Sequence, residues 1–124
     1  MPKILVVDDN LDIVFMVKTV LEKNGYEVAS ASNGYEALKA ININLPDLMI
    51  VDLTMPEMDG WRLSMKVRQD ERCKNIPIIV LSGLLSEEES QPESNEPYNV
   101  LIAKPFDVFK LMAKVKELLE AGVK

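Results

Sequence analysis

Histidine is absent from the 124-residue chain. That excludes histidine as a general base, a nucleophile or a zinc ligand, and with it the triads and metal centres built on imidazole. A single cysteine, Cys73, excludes an internal disulfide and fits a reducing compartment. It lies in the polar stretch QDERCKN, with no histidine to serve as its partner. Positive charge is scarce: 14 lysines and arginines face 20 acidic residues, a net charge of -6 with a pI near 4.7. Such a balance argues against nonspecific binding to nucleic acid or to an anionic membrane. No apolar run approaches the ~20 residues of a membrane span, and the opening Met-Pro-Lys does not read as a signal peptide. These absences lead us to expect a cytoplasmic protein.

What is present reads as one domain over residues 1–124. An apolar content of 48% is ordinary for a globular chain. A chain of this length can bury roughly two-thirds of its unfolded surface without disulfide or metal support. Strand and helix patterns alternate throughout. Ile4–Val7 is a continuous aliphatic strand, and Asp12 to Asn24 follows as a helix, with Ile13, Val14, Val17, Val20 and Leu21 at helical spacing and Gly25 as its stop. Glu27–Ala31 is a second strand. Asn33 can cap a short helix with Glu36 three residues on and Ala37, Leu38 and Ile41 as its inner stripe. Leu48–Val51 is a third strand, ending at Asp52, and a helix follows from about Gly60. Pro77–Leu81 is a fourth strand ending at Ser82, and Val100–Ala103 a fifth ending at Lys104-Pro105. In the last helix Val108, Leu111, Met112, Val115, Leu118 and Leu119 form one apolar stripe. Unbroken aliphatic strands alternating with helices predict an α/β fold, a parallel sheet covered on both faces.

In open parallel sheets, ligands bind beyond the carboxyl ends of the strands. Those ends here carry Asp8 and Asp9, Asp52, Ser82 and Lys104. Taken singly, a strand-end Asp reads as a helix cap, a Ser as a turn residue and a Lys as a solvated cation. Together, in one cleft, they raise an electrostatic problem. At about 4 Å and an effective dielectric near 20, each pair of carboxylates costs on the order of 4 kcal/mol. Either one is protonated or a cation sits among them. All-oxygen ligands with room for water favour Mg²⁺. A cation and a lysine beside a free carboxylate suit an incoming phosphoryl group, with the carboxylate as nucleophile.

The segments LVVDDN at 5–10, DLMIVDLTMPEMDGW at 47–61, IPIIVLSG at 76–83 and AKPF at 103–106, in this order and spacing, resemble the receiver domain of two-component response regulators, of the single-domain type. The resemblance spans nearly the whole chain. It implies a doubly wound five-stranded parallel sheet of flavodoxin-like order 2-1-3-4-5. It also implies that Asp52 accepts phosphate from a phosphohistidine on a histidine kinase or phosphotransfer protein. Asp9, with Asp8 assisting partly through water, would hold Mg²⁺ alongside Asp52, and the main-chain carbonyl of Thr54 would complete the protein ligands. Lys104 would contact the phosphoryl oxygens, Ser82 would hydrogen-bond the phosphate, and Lys104-Pro105 would be a cis bond. The implied role is signalling: the chain would catalyse only its own phosphorylation and dephosphorylation. It would act through a downstream protein target or a phosphorylation-dependent dimer, without direct nucleic-acid or membrane binding. It would be either a stand-alone regulator or the receiver of a longer chain.

Other readings fit the residues less well. A small-molecule aspartyl-phosphate phosphatase or phosphotransferase resembles a DxD arrangement, but Thr54 stands where the second acid would be. A flavin or nucleotide binder would meet the glycine-free, acidic turn DDNLD. An unphosphorylated receiver-like docking module would not need the full set of acceptor, acids and lysine. Two departures from the family stand out. Leu101 occupies the position where many receivers carry an aromatic switch residue. The segment SEEESQPESNEP at 86–97, where the family places its fourth helix, has no aliphatic or aromatic side chain and five glutamates. We expect a degenerate, irregular segment there. It should leave the fourth and fifth strands less covered, with Leu84, Leu85 and Tyr98 as candidates to fill the gap. Thr54 and Leu84 would flank the phosphate, and neither can orient an attacking water well, so a long-lived aspartyl phosphate is expected.

Overall fold

The computed structural model describes residues 1–83, 89–90 and 96–122. In chain order the elements are β1 (Lys3–Val7), α1 (Leu11–Lys23), β2 (Glu27–Ala31), α2 (Gly34–Ile43), β3 (Leu48–Asp52), α3 (Gly60–Gln69), a 3-10 turn at Glu71–Cys73, β4 (Ile78–Ser82), β5 (Glu89–Ser90), β6 (Val100–Ala103) and α4 (Val108–Gly122). Local chemistry explains the boundaries. Asn10 caps α1, its side chain accepting from the N–H groups of Asp12 and Ile13, and Gly25 adopts a φ of +89° just past the helix end. Asn33 caps α2 by accepting from the Glu36 N–H at 2.8 Å, while the Glu36 carboxylate reaches back to the Ser32 N–H and hydroxyl.

The five longer strands are all parallel, in the spatial order β2-β1-β3-β4-β6, which is the expected order 2-1-3-4-5 counted over parallel strands alone. Side chains alternate between two cores, as strand geometry requires. Ile4, Val6, Ile50, Ile79 and Leu81 pack with Val14, Val17 and Leu21 of α1 and Leu111 and Val115 of α4. Leu5, Val7, Met49, Val51, Ile78 and Val80 pack on the opposite face with Ala37 and Ile41 of α2 and Leu63 and Val67 of α3. Every residue of β3, β4 and β6 is buried, which explains why these strands read as unbroken aliphatic runs.

The region expected to be irregular contains one regular element. Glu89–Ser90 pairs antiparallel with Leu101–Ile102 of β6, adding a sixth strand at the sheet edge. An edge strand offers backbone donors and acceptors regardless of side-chain polarity, so an acidic stretch can still pair with it. Residues 84–88 and 91–95, including Leu84 and Leu85, lie outside the described residues. β4 and β6 are buried throughout, and Tyr98, one of the residues expected to fill the gap over them, packs against the cluster that holds Leu101.

Candidate functional site

Parallel strands in register bring their carboxyl ends to one edge. Val7 pairs with Val51 and Ser82 with Ala103, so Asp8 after β1, Asp52 at the end of β3, Ser82 at the end of β4 and Lys104 after β6 stand side by side. The Asp8 N–H continues the ladder by donating to the Ala31 carbonyl at 3.1 Å. Its Oδ1 accepts from the Asn10 N–H at 2.9 Å, so the residue that caps α1 also orients the carboxylate.

One carboxylate oxygen from each of Asp8, Asp9 and Asp52 lies within 4.8 Å of the others. Asp8 and Asp52 are buried, at 1% and 5% exposure, while Asp9 faces solvent. The Lys104 ammonium sits 3.0 Å from Asp52 Oδ1 and 3.5 Å from Asp8 Oδ2. Three carboxylates against one ammonium leave two negative charges uncompensated, which matches a divalent cation. Burial pushes the Asp8 carboxyl above its ordinary range, and the Asp52 charge adds to this; the Asn10 N–H and Lys104 oppose it. A group so strained by proximity is relieved either by a proton or by a metal. The donors are hard oxygens with no imidazole or thiolate among them, so the residues fit Mg²⁺. Ser82 is buried at the same edge, and Thr54 lies exposed two residues beyond Asp52. The Lys104-Pro105 bond is cis.

The loop from Asp52 to α3 holds features that its composition did not disclose. Glu57 has a φ of 71°, and the Met58 N–H donates to the Pro56 carbonyl at 2.7 Å, closing a γ-turn of the strained, positive-φ kind. Met55 and Met58 are buried and anchor the loop in the core beneath it. Asp59 caps α3, its Oδ1 accepting from the Arg62 N–H at 2.8 Å. Gly60 is more than a turn residue. Its N–H donates to the Leu53 carbonyl at 2.7 Å, and a Cβ there would lie 2.9 Å from Leu53 Cα and 3.0 Å from the Asp52 carbonyl carbon. Only glycine lets α3 start against the backbone of the acidic strand end.

The model of the response regulator receiver domain matches residues 4–116. The chain belongs to that family. Among its curated relatives, the "DNA-binding dual master transcriptional regulator RpaA" of Synechocystis is 35% identical over 120 residues, covering 96% of this chain and 49% of the relative. The "Transcriptional regulatory protein PrrA" of Mycobacterium tuberculosis is 34% identical over 118 residues, covering 95% of this chain and 50% of its own length. The chain thus spans about half the length of these regulators. Among solved structures, the receiver domain of the Francisella response regulator 1452 is 34% identical with a TM-score of 0.84, covering 98% of each chain. The chemotaxis protein CheY4 of Vibrio cholerae is 32% identical with a TM-score of 0.83, covering 95% of this chain and 98% of its own.

In this receiver Leu101 is buried at 7% exposure, packed in the α2/α3 core opposite Val80. A branched aliphatic in a close-packed core has little freedom to swing between inner and outer positions.

Proposed function

We propose that this receiver is the phosphoacceptor of a histidine-to-aspartate relay, with Asp52 as the acceptor. The observation that carries the reading is the Asp52 carboxylate held 3.0 Å from Lys104 in a cleft shared with Asp8 and Asp9. An Asp52 oxygen attacks the phosphorus of a phosphohistidine on a histidine kinase or phosphotransfer protein. As the O–P bond forms, the donor P–N bond breaks and its electron pair returns to the imidazole nitrogen. Lys104 neutralises charge on the phosphoryl oxygens, and the Ser82 hydroxyl donates a hydrogen bond to the transferred group. Mg²⁺, held by Asp8, Asp9, Asp52 and the main-chain carbonyl of Thr54, would supply the charge that lets an anionic carboxylate meet an anionic phosphoryl group.

The exposed Leu11 and Phe15, one turn apart on α1 and close to Asp8 in sequence, support docking of a partner protein beside the cleft. Output passes to a downstream protein or through a phosphorylation-dependent dimer, and the buried aliphatic Leu101 implies a readout other than an aromatic swing. The net charge of -6 speaks against direct nucleic-acid or membrane binding, and no helix among the described residues is long and apolar enough to cross a membrane. A cytoplasmic setting agrees with both. The test is incubation with Mg²⁺ and acetyl phosphate, followed by mass spectrometry of the acceptor peptide. Wild type should carry one hydroxylamine-sensitive phosphoryl group on Asp52, lost in Asp52→Asn and when the metal is chelated. Undiminished labelling of Asp52→Ala would overturn the assignment.

A further inference from the structure

The loop between β3 and α3 is held from two sides by glycines. Gly60, at its end, lies against the Asp52–Leu53 backbone. Gly34, the first residue of α2, lies against its middle: a Cβ there would stand 2.5 Å from the Sδ of Met58 and 3.1 Å from its Cβ and Cγ. Dihedral freedom does not explain Gly34, because Gly25 alone among the described glycines has a positive φ. Glycine is also a poorer helix former than alanine. What the position needs is room for Met58.

Neither side of this contact has freedom to retreat. The Glu36 carboxylate accepts from the Ser32 N–H at 2.9 Å and hydroxyl at 2.7 Å, and Asn33 caps the same turn, so the start of α2 is pinned to the end of β2. Met58 is 3% exposed, in the close-packed core cluster that also holds Ala37, Met55 and Leu63. Its N–H closes the turn onto the Pro56 carbonyl at 2.7 Å, around Glu57 with its φ of 71°. A methyl group added at Gly34 would push on Met58, and the tight turn hands that push back toward Met55 and Thr54.

We propose that Gly34 is a positioning residue for the metal site: by leaving room for Met58, it sets where the loop presents the Thr54 carbonyl beside Asp52. The proposal rests on the reading of that carbonyl as a Mg²⁺ ligand. Gly34 has no side chain to offer an ion and belongs to a different helix from the loop, so it acts only through Met58. Groups that orient metal ligands without touching the metal govern its affinity in the same way.

Mg²⁺ binding to the full chain, followed by backbone amide NMR shifts with Tm measured in parallel, tests this. Gly34→Ala should weaken Mg²⁺ about tenfold. Tyr35→Ala, one residue on and 53% exposed, should leave the affinity unchanged. Met58→Ala should also weaken it, because the loop loses its anchor. In that background the methyl of Gly34→Ala meets only a Cβ, so it should cost little further affinity. A merely structural contact would lower Tm and leave the Mg²⁺ affinity of the folded protein as in wild type. That outcome, in Gly34→Ala or in Met58→Ala, would overturn the proposal, and so would an equal loss from Gly34→Ala with and without Met58. If wild type shows no Mg²⁺-dependent shifts around Asp8, Asp9 and Asp52, the metal reading itself falls and the positioning role with it.

Discussion

Replacing Gly60 with alanine sets two effects of opposite sign against each other. Alanine favours helix over glycine by up to about 1 kcal/mol, less at a first helical position. Against this, the new Cβ would press on Leu53 Cα at 2.9 Å and on the Asp52 carbonyl carbon at 3.0 Å, with the Asp52 carbonyl oxygen closer still. These are backbone atoms in a buried strand end, so no side-chain rotation relieves the contact. Overpacking of this kind costs about 1–3 kcal/mol. The net expectation is a loss of about 1–2 kcal/mol, a fall in Tm of about 3–10 °C for a domain of this size. The strain falls on the residue proposed to accept phosphate, so the rate of labelling by acetyl phosphate should drop as well. Gly25→Ala is the control. Its φ of +89° makes alanine unfavourable by about 1–2 kcal/mol, but nothing lies within 4 Å of the new Cβ. It sits in the turn before β2, at the opposite end of the sheet from Asp52. It should lower Tm without slowing labelling. A Gly60→Ala protein that melts with wild type and is labelled at the wild-type rate would refute the close-approach argument.

Asp8→Asn should stabilise the metal-free protein at neutral pH while weakening Mg²⁺ binding. The sign follows from the raised Asp8 carboxyl: the folded protein retains a proton that the unfolded chain releases near pH ~3.9, so wild-type stability falls as pH rises through that value toward the raised one. Urea unfolding across that window without metal should show the fall in wild type and its reduction in the variant; identical profiles would refute it. Lys104→Ala should still bind Mg²⁺ in a titration but lose phosphorylation or its consequences, because the ammonium opposes phosphoryl charge and is not a metal ligand. Arg68→Ala should cost about 2–4 kcal/mol in urea unfolding, since it strands the carbonyls of Pro97, Cys73 and Ile76. Arg68→Lys should recover little of that, because an ammonium cannot span the same fork of acceptors.

Strand and helix were legible wherever local chemistry and burial agreed. Pro77–Leu81 reads as a central strand because both its faces are covered, and Asn33 and Gly25 mark helix ends through bonds and dihedrals that depend on near neighbours, whereas the Asn10 cap of α1 emerged only in the structure. The grouping of Asp8, Asp52, Ser82 and Lys104 followed from the same reading, since parallel strands place their carboxyl ends together. The residues it missed act across chain distance. Gly60 looks like a turn glycine until the Asp52 backbone is seen to fill the space its side chain would take. Glu57 gives no sign of a positive φ, because glutamate does not favour one; the fixed ends of the loop impose it. The pairing of Glu89–Ser90 with β6 was hidden by an acidic composition that the backbone of an edge strand does not read.

The sequence by itself determined the alternation of elements, the caps, the two-sided burial and the set of acids at the strand ends, because each rests on residue type and short spacing. Tertiary structure decided how those parts act on one another. Register brought the Lys104 ammonium within 3.0 Å of Asp52, and burial raised the Asp8 carboxyl. Packing placed Trp61 and Arg68 over residues roughly thirty positions away, from Glu96 to Asn99. Distances between groups far apart in the chain are set by how whole strands and helices pack, and no local pattern carries them.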